Sequence, residues 1–184
     1  MKNSILTLLS LAFFIVNGHT QVMEREIPHN NEVKLNIANT ILIGSLELGY
    51  EHFLDQNQSI GVEVFFFDRF SYISDTDENR DFNATSVLLS YNYYFVNPAQ
   101  PSGLYVSPFL KYRGGTFTET VDDQTIETDL NSFIIGIGGG YKWVHNDKFA
   151  LGPYVNIARG FNNDVSTRFS AVEVNAGFSI GFRF

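Results

Sequence analysis

Asp75-x-Asp77-x-Asn79-x-Asp81 sets three carboxylates and one amide on alternate positions, the donors and spacing with which a Ca²⁺-binding loop begins. The pattern then fails. The sixth position is Arg80 where glycine makes the turn, and the twelfth is Ser86 where a bidentate glutamate closes the site. The stretch reads as a solvated acidic loop. The four histidines, His19, His29, His52 and His145, are dispersed, and the chain has no cysteine. Neither a metal-ligand spacing nor a nucleophile–base pair emerges, so no catalytic residue, metal or cofactor is expected. Asn83-Ala84-Thr85 matches a glycosylation sequon but carries no weight.

A second set of polar residues is better ordered. Lys34, Glu47, Glu51, Glu63, Lys111, Arg113, Lys142, Glu173 and Arg183 each fall on the minor face of a segment in which every other residue is apolar. A strand has a side-chain period of two, so such a segment buries one face and presents the other. Segments of this kind recur eight times, at 32–41, 44–54, 58–68, 83–96, 103–117, 131–145, 148–161 and 171–184. No convincing helix appears from Glu32 onward. Small residues such as Gly136, Gly138, Gly140, Gly152 and Ser179 share the charged face. The four carboxylates and five cations named above nearly balance, as a narrow enclosed interior requires, because an unpaired buried charge is costly.

Connections alternate in length. Residues 55–57, 97–102 and 145–147 are short and turn-like, whereas 69–82 and 118–130 are long and acidic. The segments match or exceed the roughly 9–11 residues of a tilted transmembrane strand. The N-terminus reads as an export signal: Lys2, an apolar run from Ile5 to Val16, then Gly18 and Thr20 before a cut at Gln21. The expected organisation is a signal peptide at 1–20, a short polar tail at 21–31 and a single all-β domain at 32–184. Loss of Lys2 with the signal would take the formal net charge from −8 to −9, which argues against nucleic acid as a partner.

Alternation alone does not say which face is inside; a soluble lipocalin-like carrier would put the apolar face inward. Three features favour a lipid-facing apolar side. Tyr91, Tyr93, Phe95, Tyr141 and Trp143 cluster near the short-turn ends as an aromatic girdle would. Glycines crowd the charged face, where a solvated surface has no need of them. Phe178, Ile180, Phe182 and Phe184 run on one face to the last residue.

With its export signal, eight alternating segments and terminal Gly177-Phe178-Ser179-Ile180-Gly181-Phe182-Arg183-Phe184, the chain resembles the small eight-stranded outer-membrane β-barrels of Gram-negative bacteria, of the OmpX type and the OmpA transmembrane domain. The resemblance implies an antiparallel up-and-down barrel, a monomer with short periplasmic turns and longer extracellular loops. It also implies that the terminal aromatics are read by the barrel-assembly machinery. Lipid and lipopolysaccharide are the expected surroundings. Enzymes of this fold use His and Ser near the outer leaflet, whereas His52 and His145 fall at periplasmic ends. No peptidoglycan-binding domain follows the barrel, so an anchoring role is not expected.

The long loops read either as disordered acidic segments or as extended strands, with Thr125 to Thr128 pairing back across Asp122-Asp123-Gln124 on the 116–121 stretch. In the second case, a surface partner would bind by strand addition at 69–82 or 118–130. Arg159 shares parity with Ile157 and belongs at the extracellular interface, since an Arg facing mid-bilayer costs about 2–4 kcal/mol. The leading expectation is a non-enzymatic barrel with a packed polar lumen and a structural or surface-interaction role; the alternatives are a narrow channel and a soluble periplasmic carrier.

Overall fold

The computed structural model describes residues 29–68, 80–95, 100–121 and 124–184. The expected signal peptide, most of the 21–31 tail and the Asp75–Asn79 part of the acidic motif lie outside them. Nine strands are present among the described residues: β1 (Asn31–Asn36), β2 (Leu46–Phe53), β3 (Gln58–Phe66), β4 (Arg80–Tyr94), β5 (Gly103–Val121), β6 (Gln124–Asp129), β7 (Ser132–His145), β8 (Phe149–Phe161) and β9 (Val172–Arg183). Each pairs antiparallel with its neighbours. The ring runs β1-β2-β3-β4-β5-β7-β8-β9 and closes where β9 returns to β1. Eight strands therefore form the wall, and β6 stands outside it as a third strand on the raised ends of β4 and β5.

The period-two pattern sets the two faces. Val33, Leu48, Val62, Leu89, Leu110, Ile137, Ile157 and Ile180 all point away from the lumen and are exposed, Ile137 at 56%. The apolar face thus points outward on every wall strand, the reverse of a soluble carrier. Exposed aromatics band both rims. Tyr91, Tyr93, Phe95, Tyr141 and Trp143 stand near the short-turn end, where Tyr141 and Trp143 rings lie 4.8 Å apart. Tyr112, Phe133 and Phe161 form a register-matched row at the other end. From Phe133 to Trp143 on β7, a tilted strand climbs about 26 Å, close to the apolar band of a membrane barrel.

Several expectations are corrected. The segment 32–41 is not one strand: β1 stops at Asn36 and α1 (Ile37–Ile43) follows. The Asn36 side chain caps this helix by accepting from the Asn39 N–H, and Gly44, at φ 68°, ends it in the left-handed region that glycine tolerates. A second helix, α2 (Asn163–Arg168), is capped by Asn162 and has Asp164 in its first turn and Arg168 in its last. The expectation of no helix after Glu32 therefore fails twice. β3 ends at Phe66 rather than 68, and β4 begins at Arg80 rather than 83. Within 118–130 the described residues pair antiparallel, with Val121 opposite Gln124 and Thr116 opposite Asp129, as the extended-strand alternative anticipated. Both described chain ends meet at the short-turn end, where the Phe184 N–H donates to the Asn31 carbonyl at 2.9 Å.

Candidate functional site

The inward faces build a lumen in layers. Nearest the short turns, Lys142 Nζ donates to Glu32 Oε1 at 2.9 Å and to Glu51 Oε2 at 2.8 Å. Arg183, 1% exposed, donates from Nε to Glu32 Oε2 at 2.8 Å and from a terminal nitrogen to the Pro101 carbonyl at 2.6 Å. The Glu51 carboxylate also accepts from Tyr94 Oη and Ser59 Oγ. Beside this group, Lys34 Nζ meets Glu63 at 2.6 Å and Glu51 at 3.9 Å.

Toward the long loops a second ionic group closes the lumen. Arg113, 0% exposed, forks onto both oxygens of Glu173 at 2.7 Å and reaches Asp68 Oδ2 at 2.9 Å through Nε. Lys111 Nζ lies 2.6 Å from the same Asp68 oxygen. Such bidentate, charge-assisted pairs hold geometry as well as charge.

The structure places Lys34, Glu51, Glu63, Lys111, Arg113, Lys142, Glu173 and Arg183 in these two groups on the lumen side, and Glu47 on the same side but in neither group. That residue has no Lys or Arg at ion-pair distance among the described residues; its carboxylate accepts instead from Asn36 Nδ2 at 2.6 Å, Asn39 Nδ2 at 2.7 Å and Tyr154 Oη at 2.9 Å. Two members were missed. Glu32 had the right parity beside Lys34. Asp68 was hidden because Phe67, at φ 56°, breaks the alternation and turns the next side chain inward.

The lumen is not wholly polar, which corrects a further expectation. Phe65, Leu88, Phe109, Ile134 and Ala158 form a buried apolar layer in the barrel interior. Lys111 Nζ sits 4.4 Å above the Phe65 ring, so the layer also backs the outer ionic group. Among the described residues, two lumen cavities are small: one of about 40 Å³, enough for roughly three waters, bordered by Lys34, Glu47, Glu63, Tyr105 and Tyr154, and one of about 20 Å³ beside Phe109 and Glu173.

Above the outer ionic group lies a cap. Val165 of α2 packs with Ala84, Phe117 and Leu130, and Phe169 stands edge-on to Phe117 with ring centroids 5.3 Å apart. Asn162 Nδ2 donates to the carbonyls of Asp129 and Asn131, tying the helix start to the raised hairpin. Glu119 clamps the other end: it accepts from Arg80 Nε at 2.7 Å and pairs with Arg168 of α2. The Arg80 hydrogen bond, with the charges of Arg168 and Arg80, holds the Glu119 carboxyl below the usual glutamate value. A depressed carboxyl supports the folded arrangement above its ordinary value and loses that support as pH falls through its folded value. Protection factors for amide exchange over 162–171 should therefore be flat from neutral to mildly acidic pH and fall only in stronger acid. In Glu119→Gln that acid step should disappear; an unchanged step would remove Glu119 as its source.

His52 Nδ1 lies 2.9 Å from Asn31 Oδ1 and His145 ends β7, so both stand at the short-turn end. Arg159 faces outward near the other rim, opposite Ile135 and Val172. Asp81, the described remnant of the acidic motif, is exposed on β4. Phe178, Ile180, Phe182 and Phe184 share the outward face of the final strand.

A closed ring of eight antiparallel strands, apolar outside and ion-paired within, is the fold of the small eight-stranded outer-membrane β-barrels, and a solved structure agrees. The N-terminal β-barrel domain of Pseudomonas aeruginosa OprF superposes with TM-score 0.57 at 18% identity, over 85% of this chain and 98% of that one. Neisserial surface protein A gives 0.48 at 12% identity over 83% and 91%, and the attachment invasion locus protein Ail of Yersinia pestis gives 0.44 at 9% over 84% and 93%. No family model and no curated protein sequence matches the chain.

Proposed function

We propose that the chain is a non-enzymatic protein of the bacterial outer membrane, sealed along its axis, that acts at the cell surface through its raised sheet. The observation that carries this reading is the β4–β5–β6 extension above the capped mouth. There β6 pairs with β5 on one side, and no other strand lines its far edge among the described residues. Such an edge takes an added strand through main-chain hydrogen bonds, with alternate side chains giving specificity. The outward face of the extension presents Asp81, Asn83, Thr116, Thr118, Glu127 and Asp129. On this reading the short turns are periplasmic, the long loops extracellular, and Arg159 sits among lipid phosphates at the outer interface. The terminal aromatics serve insertion by the assembly machinery, and a leader within 1–20 directs export.

The sealed lumen weighs against a channel. A cavity for roughly three waters, bounded by two ionic groups, offers no continuous path. In planar bilayers the folded chain should give no steady conductance above background; reproducible unitary openings would overturn the sealed-lumen reading. Cross-linking in native outer membranes should capture a reproducible partner on Gln124–Asp129, and its loss when that edge carries a proline tests strand addition directly.

A further inference from the structure

Strand pairing does not extend over the full height of the wall. The β1–β9 ladder runs from Glu32–Arg183 to Asn36–Ser179 and stops, because β1 gives way to α1. Beyond that point residues 172–178 of β9 pair, among the described residues, with β8 on one side only. On a tilted strand they climb roughly 18 Å, from the rim near Arg159 into the hydrocarbon. An open strand edge at that depth is tolerated only where something covers it. Here α1 does, packed along β9.

That cover is short and two-faced. Its inner side is polar: Asn36 and Asn39 are buried and reach Glu47, and Asn39 Nδ2 also donates to Asn175 Oδ1 on β9 at 2.8 Å. On the other side Ile41 and Leu42 are 75% and 77% exposed and continue the apolar exterior. Seven residues are too few for a helix to be stable on its own, so α1 holds its place only through these contacts. Behind it lie Glu47, which has no cation at ion-pair distance among the described residues, and the cavity of about 40 Å³. Gly177 keeps the seam thin, since a Cβ there would stand 2.5 Å from Asn36 Nδ2.

We propose that this seam is a lateral portal from the outer leaflet, closed by α1, and that Glu47 behind it binds the ammonium head of a single-chain amphiphile. The charge decides the head. Lys34 is already engaged by Glu63 and Glu51, so an anionic head would meet carboxylates without a free cation, whereas an ammonium supplies the counter-charge that Glu47 lacks. An ammonium has about the bulk of the waters it displaces, and the tail lies outside with Ile41, Leu42 and the outward side chains of β9.

The full chain, folded into phosphatidylcholine nanodiscs, tests this by titration with dodecylammonium and, as the tail-matched contrast, dodecanoate. The readout is NMR of the Asn36 and Asn39 side-chain amides and the Ile41 methyls. Dodecylammonium should produce saturable shifts and dodecanoate none; equal responses to both would overturn the proposal. Glu47→Gln should weaken dodecylammonium at least tenfold, while Asp147→Asn, which removes an exposed carboxylate in the short turn after β7 and away from the seam, should stay within threefold. Unchanged affinity in Glu47→Gln, or an equal loss in both variants, would overturn the charge assignment. Should Glu47→Gln not fold, the contrast between the two amphiphiles on the native chain decides the matter.

Discussion

Arg113→Ala should destabilise the barrel by about 3–5 kcal/mol, measured as the urea midpoint of refolding into lipid vesicles or as loss of heat-modifiable migration. The guanidinium is fully buried and joins Asp68 of one wall region to Glu173 of another. Its removal leaves Asp68 with Lys111 but strips Glu173 of the only cation it meets among the described ion pairs. The cost is that of an uncompensated buried carboxylate rather than the net worth of the pair. Arg113→Met combined with Glu173→Gln removes both charges and should cost much less than the single change. If the double variant is no more stable than Arg113→Ala, the loss comes from packing and the ionic assignment fails.

Ile137→Arg should cost about 2–4 kcal/mol by the same measurement, because the outward position lies mid-way between the two aromatic rows. Its register neighbours, Pro108 and Ile157, also sit on the outward face, so no carboxylate is at hand to pair the new charge. The native Arg159, near the rim on the adjacent strand, is the internal contrast: Arg159→Ala should change stability by less than about 1 kcal/mol, as interface positions do. Equal effects at the two sites would mean that depth in the bilayer is not what distinguishes them.

Much of this was legible because the wall strands obey one rule. Wherever a strand faces lipid on one side and the lumen on the other, period two fixes each side chain, so seven of the eight predicted segments mark wall strands with ends a few residues out. The first segment misled because Val33, Leu35, Ile37 and Ile41 share parity whether or not the chain stays extended. The caps that override it, Asn36 and Gly44, were present but short of a helical period to support them. Likewise α2 is held by Asn162 and by packing of Val165 and Phe169 on the raised sheet, contacts that depend on distant residues. The apolar layer was masked for a related reason. In Val87-Leu88-Leu89 both faces are apolar, and pattern alone does not show that Leu88 meets Phe65, Phe109 and Ile134 across the lumen. Asp68 follows a positive-φ residue that no alternation anticipates. The charged lumen residues were visible individually; their division into two groups, with Glu47 in neither, required the register of all eight strands.

The central claim is that the apolar face meets lipid and the charged face a closed interior. The chain has no cysteine, so each engineered one is a unique label site. Spin labels at Ile135, Ile137 and Val155 facing outward, and at Ser107 and Asn156 facing the lumen, should be read in lipid vesicles for collision with oxygen and with a water-soluble nickel chelate. The outward set should show high oxygen and low nickel accessibility, and the inward set low accessibility to both. Nickel access at the outward positions, or oxygen access confined to the inward ones, would contradict the account.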